Sequence, residues 1–542
     1  MSASLLHLGN VNDLREGEMK EIEVEGTGGK ILLYRHKGTY RATSNKCTHY
    51  GAPLKNGVLT SDGHIVCPWH GACFSAETGD IEDGPALDSL IRYAVHLDGD
   101  RIMVEVSPEE VKANRRIPMC KMGQGPVEKG KAVVIVGGGS GGMVTADALR
   151  EVGYNGSIRI LSEEPHLPID RIKLSKMLQV DVNKLILRSS DYLKDRFIDI
   201  STSTEVTKVD REAKVVHTRS GEKVPYDTLV LATGGKPRVL PIEGVKLGNV
   251  FTLRHAKDGN AIYKAITSVE GGAKVVVVGS SFIGMEVAAT ASAIEGTKVT
   301  VVGMETVPFA RILGSKVGGA FQKLHESKGI QFQMEAALSH LEARTEASDQ
   351  VGSVVLKSGQ KFDADVVVLG VGVAPATDYL QGSGLDLEKD GSLRVDEHFK
   401  VQGTEDIYAV GDIATFPVPC KGDMTRIEHW AVAQNHGRAA ANAIAGQPMA
   451  YEKIPFFWTA QHGINLRYAG SGIGYDNVIV QGDVEGLKFA AFYTKGEEVL
   501  AVATIGKDPV ATKVAELLRL GQMPTASELK AGKDVLEVSD QN

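Results

Sequence analysis

Val133-Val134-Ile135-Val136-Gly137-Gly138-Gly139-Ser140-Gly141-Gly142 is the stretch whose reading decides the fold. Four consecutive β-branched residues predict a strand buried on both faces, as strands of a parallel sheet are. Gly137, Gly139 and Gly142 then fit G-x-G-x-x-G, and Ala146, Ala148 and Leu149 predict the helix that follows. Each glycine has its own physical reason. Gly137 makes the tight turn, Gly139 lets a pyrophosphate approach the backbone, and Gly142 lets helix pack on strand. The N–H groups from Ser140 onward offer the phosphates a partial positive charge. Alone, this could be an ordinary glycine-rich turn. The context argues otherwise. Ile158-Arg159-Ile160-Leu161-Ser162 predicts a second strand ending in Glu163, about 20 residues past the glycines, where a carboxylate would hold a ribose hydroxyl.

The pattern recurs 142 residues later in Val275-Val276-Val277-Val278-Gly279-Ser280-Ser281-Phe282-Ile283-Gly284-Met285-Glu286, with Ser281 at the middle glycine position. Between the two, Thr228-Leu229-Val230-Leu231 runs into Ala232-Thr233-Gly234. Further on stand Gly370-Val371-Gly372 and Ile407-Tyr408-Ala409-Val410-Gly411-Asp412. Two fingerprints imply two dinucleotides, one fixed and one exchanging. The second strand of the later unit, Lys298-Val299-Thr300-Val301-Val302, ends at Gly303, with Glu305 two residues on and Arg311 the nearest arginine. With no arginine cluster to grip a 2′-phosphate, the reading favours NADH over NADPH.

Bulk properties narrow the choice. A chain of 542 residues with 42% hydrophobic content should hold several domains with real cores. A net charge of −8 argues against nucleic acid as a partner. There is no run of about 18 apolar residues, so no membrane span is expected. Five cysteines do not make a disulfide framework at this length. Met1-Ser2-Ala3-Ser4-Leu5-Leu6-His7 lacks a signal-peptide core or an Arg-rich presequence, which points to a reducing, cytoplasmic setting.

The first hundred residues read as short strands with Gly and Asp turns. They contain Cys47-Thr48-His49 and Cys67-Pro68-Trp69-His70-Gly71, 17 residues apart from His49 to Cys67. Two readings compete for this Cys₂His₂ set. Zinc would take all four ligands tetrahedrally, though its usual pattern pairs Cys with Cys and His with His. With one of each in each box, two thiolates can hold one iron and two imidazoles another. Cys73, three residues past His70, reads as a small buried core residue.

Both boxes resemble a Rieske-type [2Fe-2S] domain, without the extra cysteine per box of the high-potential members. From Lys131 almost to the end, the chain resembles the two-dinucleotide flavoprotein reductases. Its C-terminal part is similar to the ferredoxin-reductase and apoptosis-inducing-factor branch, on Pro455-Phe456-Phe457-Trp458, Leu466-Arg467-Tyr468-Ala469-Gly470 and Phe492-Tyr493-Thr494-Lys495-Gly496. The resemblance implies a multidomain chain. An all-β Rieske domain over 1–107 and a linker over 108–130 precede an α/β fold of two Rossmann-like domains. FAD binds across 131–250 and 376–450, and NAD(P)H across 251–375. An α+β C-terminal domain spans 451–542.

By the same resemblance, Asp412, Thr233 and Gly234 bind FAD, and Arg171 and Lys176 lie along the flavin. Gly370 and Gly372 belong to the nucleotide sites. Lys176 and Glu286 form an ion pair beside flavin N5, where a lysine would stabilise negative charge on the reduced ring. Phe282 shields the flavin, Trp458 lies near the isoalloxazine, and His429 neighbours the nicotinamide. Each has a purely structural counterpart: a helix N-cap for Asp412, core packing for Trp458 and a stabilising salt bridge for Lys176–Glu286. Disulfide reductases of this fold carry Cys-x-x-x-x-Cys beside the flavin; Arg171-Ile172-Lys173-Leu174-Ser175-Lys176 has no cysteine, so electrons leave by another route. The implied path runs from NAD(P)H through FAD to the cluster and on to an unnamed electron-acceptor protein. Either the linker lets the Rieske domain swing or dock, or a homodimer supplies the Rieske domain from another copy. A redox-sensing interaction protein with slow turnover, and a mitochondrial association, are the alternatives that the apoptosis-inducing-factor branch suggests.

The purified protein is expected to be brown-yellow, with FAD and two irons per chain. Metal analysis showing zinc without acid-labile sulfide would remove the cluster.

Overall fold

The computed structural model describes residues 4–121, 131–419 and 422–539. The N-terminal region is a six-stranded antiparallel sheet with a second sheet of four short strands. In the large sheet, Met19–Val24, Gly29–His36, Thr39–Ser44 and Arg92–Asp98 are neighbours, extended by Arg101–Val106 and Ser4–Asn10. The small sheet runs Val58–Leu59, His64–Val66, Cys73–Ser75, Ile81–Asp83. Ile31 and Leu33 point into one core and Leu32 and Tyr34 into the other, so the period-two pattern of one strand serves both sides of its sheet.

Val133–Val136 is the centre of a parallel sheet, flanked by Ile158–Leu161 and Thr228–Leu231, with Ile198–Ser201 and Ile407–Ala409 outside them. All four of its residues are buried, as the apolar run requires. The second unit repeats the plan. Lys274–Val278 lies between Lys298–Val302 and Val366–Leu369, with Gln331–Gln333 and Val250–Phe251 at the edges. A two-stranded ribbon, Gly235–Pro237 with Val373–Pro375, joins the two units.

The C-terminal unit is a five-stranded antiparallel sheet covered on both faces. Along Lys488–Lys495, Phe489, Ala491 and Tyr493 enter the core of the second nucleotide unit, while Ala490 and Phe492 pack under the helix Val510–Leu520. At roughly 1.5–3 kcal/mol per large buried side chain, this double burial cements the sheet to its neighbour.

Two boundaries differ from the sequence expectation. The second nucleotide sheet already includes Val250. The segment read as linker begins as part of the first domain. Ser107 caps the helix Pro108–Ala113, Val111 is buried against Gly29, and Arg116 pairs with Ser89. The Ser-Pro-Glu-Glu start is an N-cap signature too short to show a helical period. Lys121 then reaches the Arg150 carbonyl; residues 122–130 of the expected linker lie outside the described residues.

The first domain is wedged between the first nucleotide unit and the C-terminal unit. Arg188, only 7% exposed, is the main tie. Its guanidinium reaches Asp88 at 2.6 Å and the Leu87 carbonyl at 2.7 Å in the first domain, and Asp147 at 3.0 Å on the helix Ser140–Glu151. The Gly84 amide donates to the Asn435 side chain at 2.8 Å, Lys453 meets Asp83 at 2.8 Å and Arg519 meets Asp62 at 2.7 Å. Removing Arg188 leaves Asp147 buried without its counter-charge, which costs about 3–5 kcal/mol. Arg188→Met is therefore expected to lower the thermal unfolding midpoint clearly; an unchanged midpoint would show that this triad does not hold the domains together.

Candidate active site and cluster site

The two metal boxes fold into loops of the same design. Counting from each cysteine, Gly-Ala falls at the fourth and fifth positions: Cys47…Gly51-Ala52 and Cys67…Gly71-Ala72. In both, the cysteine amide donates to the alanine carbonyl at 2.8 Å and the glycine amide returns to the cysteine carbonyl, at 2.9 Å and 3.2 Å. Gly51 and Gly71 have φ of 79° and 74°, the left-handed turn that closes such a loop. The histidine sits second in one loop and third in the other. The Nδ1 atoms of His49 and His70 meet at 3.0 Å, and the thiols of Cys47 and Cys67 face each other. Amides of His49 and Tyr50 point at the Cys47 sulfur, and those of Trp69 and His70 at Cys67. Burial holds both imidazoles neutral, with the His49 pKa pushed down to about 3. Neutral imidazole is the ligand form.

This donor set fits two metal centres, not one. A tetrahedral zinc needs its donors around a single point. Here thiol is paired with thiol and imidazole with imidazole. Among the described residues, the His/Cys/Asp/Glu group whose donors come within 4.8 Å of one another lies elsewhere in the domain.

The imidazole side of these loops faces the reductase body. The His70 ring lies 4.3 Å from the Trp458 ring and the His49 ring 5.8 Å from it. Tyr50 stacks on His49 at 3.7 Å and donates its hydroxyl to Asp170 at 2.6 Å. Trp458 lies on the strand Phe456–Gln461, directly across from Arg467, which pairs with Asp508 at 3.0 Å.

Beside Trp458, a buried carboxylate gathers three units. Glu286 is 4% exposed on the helix Phe282–Ser292. It receives Lys176 Nζ at 2.9 Å, the Thr459 hydroxyl at 2.7 Å and the Ser175 hydroxyl. A charge so deep in an apolar helix face persists only with such partners. Phe282, at the start of the same helix, stacks on Phe309 and meets Phe457 edge-on, both at 4.9 Å; Phe457 in turn lies 4.7 Å from His429. His429 Nδ1 is buried with no protein partner, and burial pushes its pKa down to about 4.

The glycine loops fit the dinucleotides. A Cβ on Gly137 would lie 2.3 Å from the Ala232 carbonyl, and one on Gly142 2.1 Å from that of Gly137, whereas Gly139 faces open space. The second loop matches: Gly279 is closed off by the Gly370 carbonyl and Gly284 by that of Gly279, while Gly372 is open. Ser140 and Ser281 stand at the N-termini of their helices; Ile283 is exposed and Glu305 pairs with Arg311 at 3.0 Å. Thr233 donates to the Ala376 carbonyl at 2.7 Å, and Gly234 lies against Arg254 and Asp412.

Several residues of this site carry no signal in the sequence. Glu163 is exposed at the strand end, while the next residue, Glu164, is buried and binds Arg171 at 2.7 Å and His255 at 2.9 Å. Burial pushes the Glu164 carboxyl up, but hydrogen bonding from His255 and the Arg171 guanidinium outweigh it, leaving it at about 2. Arg171 also donates to the Arg254 carbonyl at 2.5 Å. The Arg254 guanidinium is brought to Gly234 and Asp412 by the chain's return after Val250–Phe251. Only spatial proximity marks Arg254, Thr459, Tyr50 and Asp170; no spacing signal does.

A paired-loop Cys/His domain docked on two dinucleotide cradles defines a nucleotide-dependent flavoprotein oxidoreductase with an iron–sulfur domain of its own. Residues 131–437 match the pyridine nucleotide-disulphide oxidoreductase family, residues 4–94 the Rieske [2Fe-2S] domain and residues 456–536 the reductase C-terminal domain. The chain belongs to the pyridine nucleotide-disulphide oxidoreductase family, in the Rieske-bearing branch of apoptosis-inducing factor 3. It is 40% identical to apoptosis-inducing factor 3 of Homo sapiens over 95% of this chain and 84% of that one. It is 31% identical to putidaredoxin reductase of Pseudomonas putida, over 74% and 95%. The solved covalent putidaredoxin reductase–putidaredoxin complex is similar at TM-score 0.69 and 30% identity, covering 75% of this chain and 97% of that chain. The protein is an FAD-dependent NAD(P)H oxidoreductase whose cofactors are FAD and a [2Fe-2S] cluster. Among the described residues no helix is long and apolar enough to cross a membrane.

Lys176→Ala is expected to keep FAD bound and slow flavin reduction by NADH about 10²–10³-fold, the usual cost of one charge-stabilising donor at a reacting centre. Stopped-flow rates equal to wild type would remove Lys176 from the chemistry.

Proposed function

We propose that electrons enter from NAD(P)H at the flavin and pass within one chain to the Rieske cluster, then to a separate acceptor protein. The observation that carries this reading is the 4.3 Å contact between His70 and Trp458, two rings from different domains beside the Glu286–Lys176 pair. When bound, FAD supplies hydride acceptance and single-electron release, and the cluster supplies one-electron carriage.

The residues divide the remaining work. The backbone at Gly137, Gly139, Ser140 and Gly142 cradles the FAD pyrophosphate, with Glu163 on the ribose and Thr233, Gly234, Arg171 and Asp412 along the cofactor. Gly279, Ser281, Ile283, Gly284, Gly370 and Gly372 receive the nicotinamide nucleotide, and Glu305 takes its ribose hydroxyls, which favours NADH. Phe282 and His429 border the nicotinamide position through Phe457. Lys176, held by Glu286, presents its ammonium where negative charge accumulates. Cys47 and Cys67 hold one iron, His49 and His70 the other. Docking in cis makes a second copy unnecessary for this transfer.

The acceptor comes to this chain by analogy. One solved relative is a covalent complex of a reductase with putidaredoxin; here a domain of the same polypeptide is docked on the reductase body. That same docking favours a second reading. With His49 and His70 turned inward, an outside acceptor reaches them only slowly, as a redox-sensing protein with slow turnover would require.

The series order is testable by rapid mixing with NADH, read at flavin and cluster wavelengths. Flavin should be reduced first and cluster second. Cys47→Ser with Cys67→Ser should keep near-wild-type hydride transfer to flavin yet lose most reduction of one-electron acceptors that need the cluster. A cluster that stays oxidised while flavin cycles fully would show that the two centres are not in series. Fast turnover with cytochrome c would favour the enzyme over the sensor.

A further inference from the structure

The small sheet of the Rieske domain gathers a second ligand set that shares no residue with the Cys47/Cys67/His49/His70 loops. His64, Cys73 and Glu82 lie on three adjacent strands, His64–Val66, Cys73–Ser75 and Ile81–Asp83. The register puts them on one face. His64 opposes Ser75 and Val66 opposes Cys73, so His64 and Cys73 share a side. On the other edge Phe74 opposes Ile81 while Cys73 opposes Asp83, which makes Glu82 the extra residue of a β-bulge. A regular ladder would set one residue opposite Cys73; the bulge sets two, and Glu82 turns towards it. One donor atom each of His64, Cys73 and Glu82 then lies within 4.8 Å of the others.

The geometry points to a divalent-cation site of the zinc class, held by His64 Nε2, Cys73 Sγ and a Glu82 carboxylate oxygen, with a fourth position for water. His64 Nε2 already faces Glu82 at 2.6 Å. Its other nitrogen, Nδ1, lies 2.9 Å from Asp62, the carboxylate–histidine arrangement that orients an imidazole for a metal. Asp62 is itself fixed by the Thr60 hydroxyl and by Arg519 at 2.7 Å, so the site is tied to the C-terminal unit. A thiolate with an imidazole and a carboxylate suits zinc; calcium and magnesium prefer oxygen alone. Cys73 is buried while the Glu82 side chain is 37% exposed, so the ion enters from the Glu82 side.

The test uses the holoprotein, with FAD, two irons and acid-labile sulfide verified, so that zinc misplaced in the cluster site is recognised by lost iron. Zinc is titrated against a chromophoric chelator, and cobalt is substituted to read a thiolate charge-transfer band as a difference spectrum. Wild type should bind one zinc per chain with full iron content and show the cobalt–thiolate band. Cys73→Ser should lose the band, Glu82→Gln at an exposed position should lose stoichiometric zinc, and Asp62→Asn should bind zinc about 10–100-fold more weakly. Failure of the iron-replete wild type to bind zinc, or equal binding by wild type and Glu82→Gln, would overturn the proposal and leave His64 as a cation between two carboxylates.

Discussion

The Glu286 carboxylate is the point on which the rest of the site depends. Lys176 and Ser175 come from the first nucleotide unit, Glu286 from the second, and Thr459 from the C-terminal sheet. Three units, two of which already share an apolar core, thus meet in one buried polar cluster. Burying that charge is unfavourable unless every partner is in place, so the cluster penalises any displacement of one unit against another. Trp458, one residue before Thr459, inherits its position from the same contact.

The Rieske domain is held differently, by several polar ties distributed round its edge. Arg188 anchors one side, Asp83 and Asp62 the other, and Tyr50 closes over Asp170 between them. The ion-pair partners of these edges are charged groups. Their strength depends on how far water is excluded, from the 7% exposure of Arg188 to the open setting of Asp62. Ring packing adds to these ties: His70 lies on Trp458, and the Gly71 turn lies on Phe456, where even a methyl group would be 3.1 Å from the ring.

How much of the molecule is legible in the sequence follows from how locally each feature is encoded. Val133–Val136 reads directly because a strand buried on both faces must be apolar throughout, and the glycines after it are demanded by their own backbone. The Cys/His boxes read directly because each loop is closed by its own hydrogen bonds. The helix Pro108–Ala113 is hidden because six residues carry too little period, and its one buried side chain, Val111, is recognised only against Gly29. Adjacent glutamates at 163 and 164 point opposite ways, and a count from the glycines cannot tell which is buried. Arg254 and Asp170 belong to the site through chain crossings that no residue spacing records. Cys73 reads as core because the bulge that brings Glu82 beside it exists only in the register of two strands.

The docked Rieske domain has a kinetic meaning. A partner carried on the same polypeptide meets the flavin site at an effective concentration set by its tether and docking surface, not by its abundance. Transfer between the two sites on the proposed route is then unimolecular and insensitive to dilution, unlike reduction of a free carrier. On the proposed route, an outside protein that needs the histidine edge would compete with the reductase body for it.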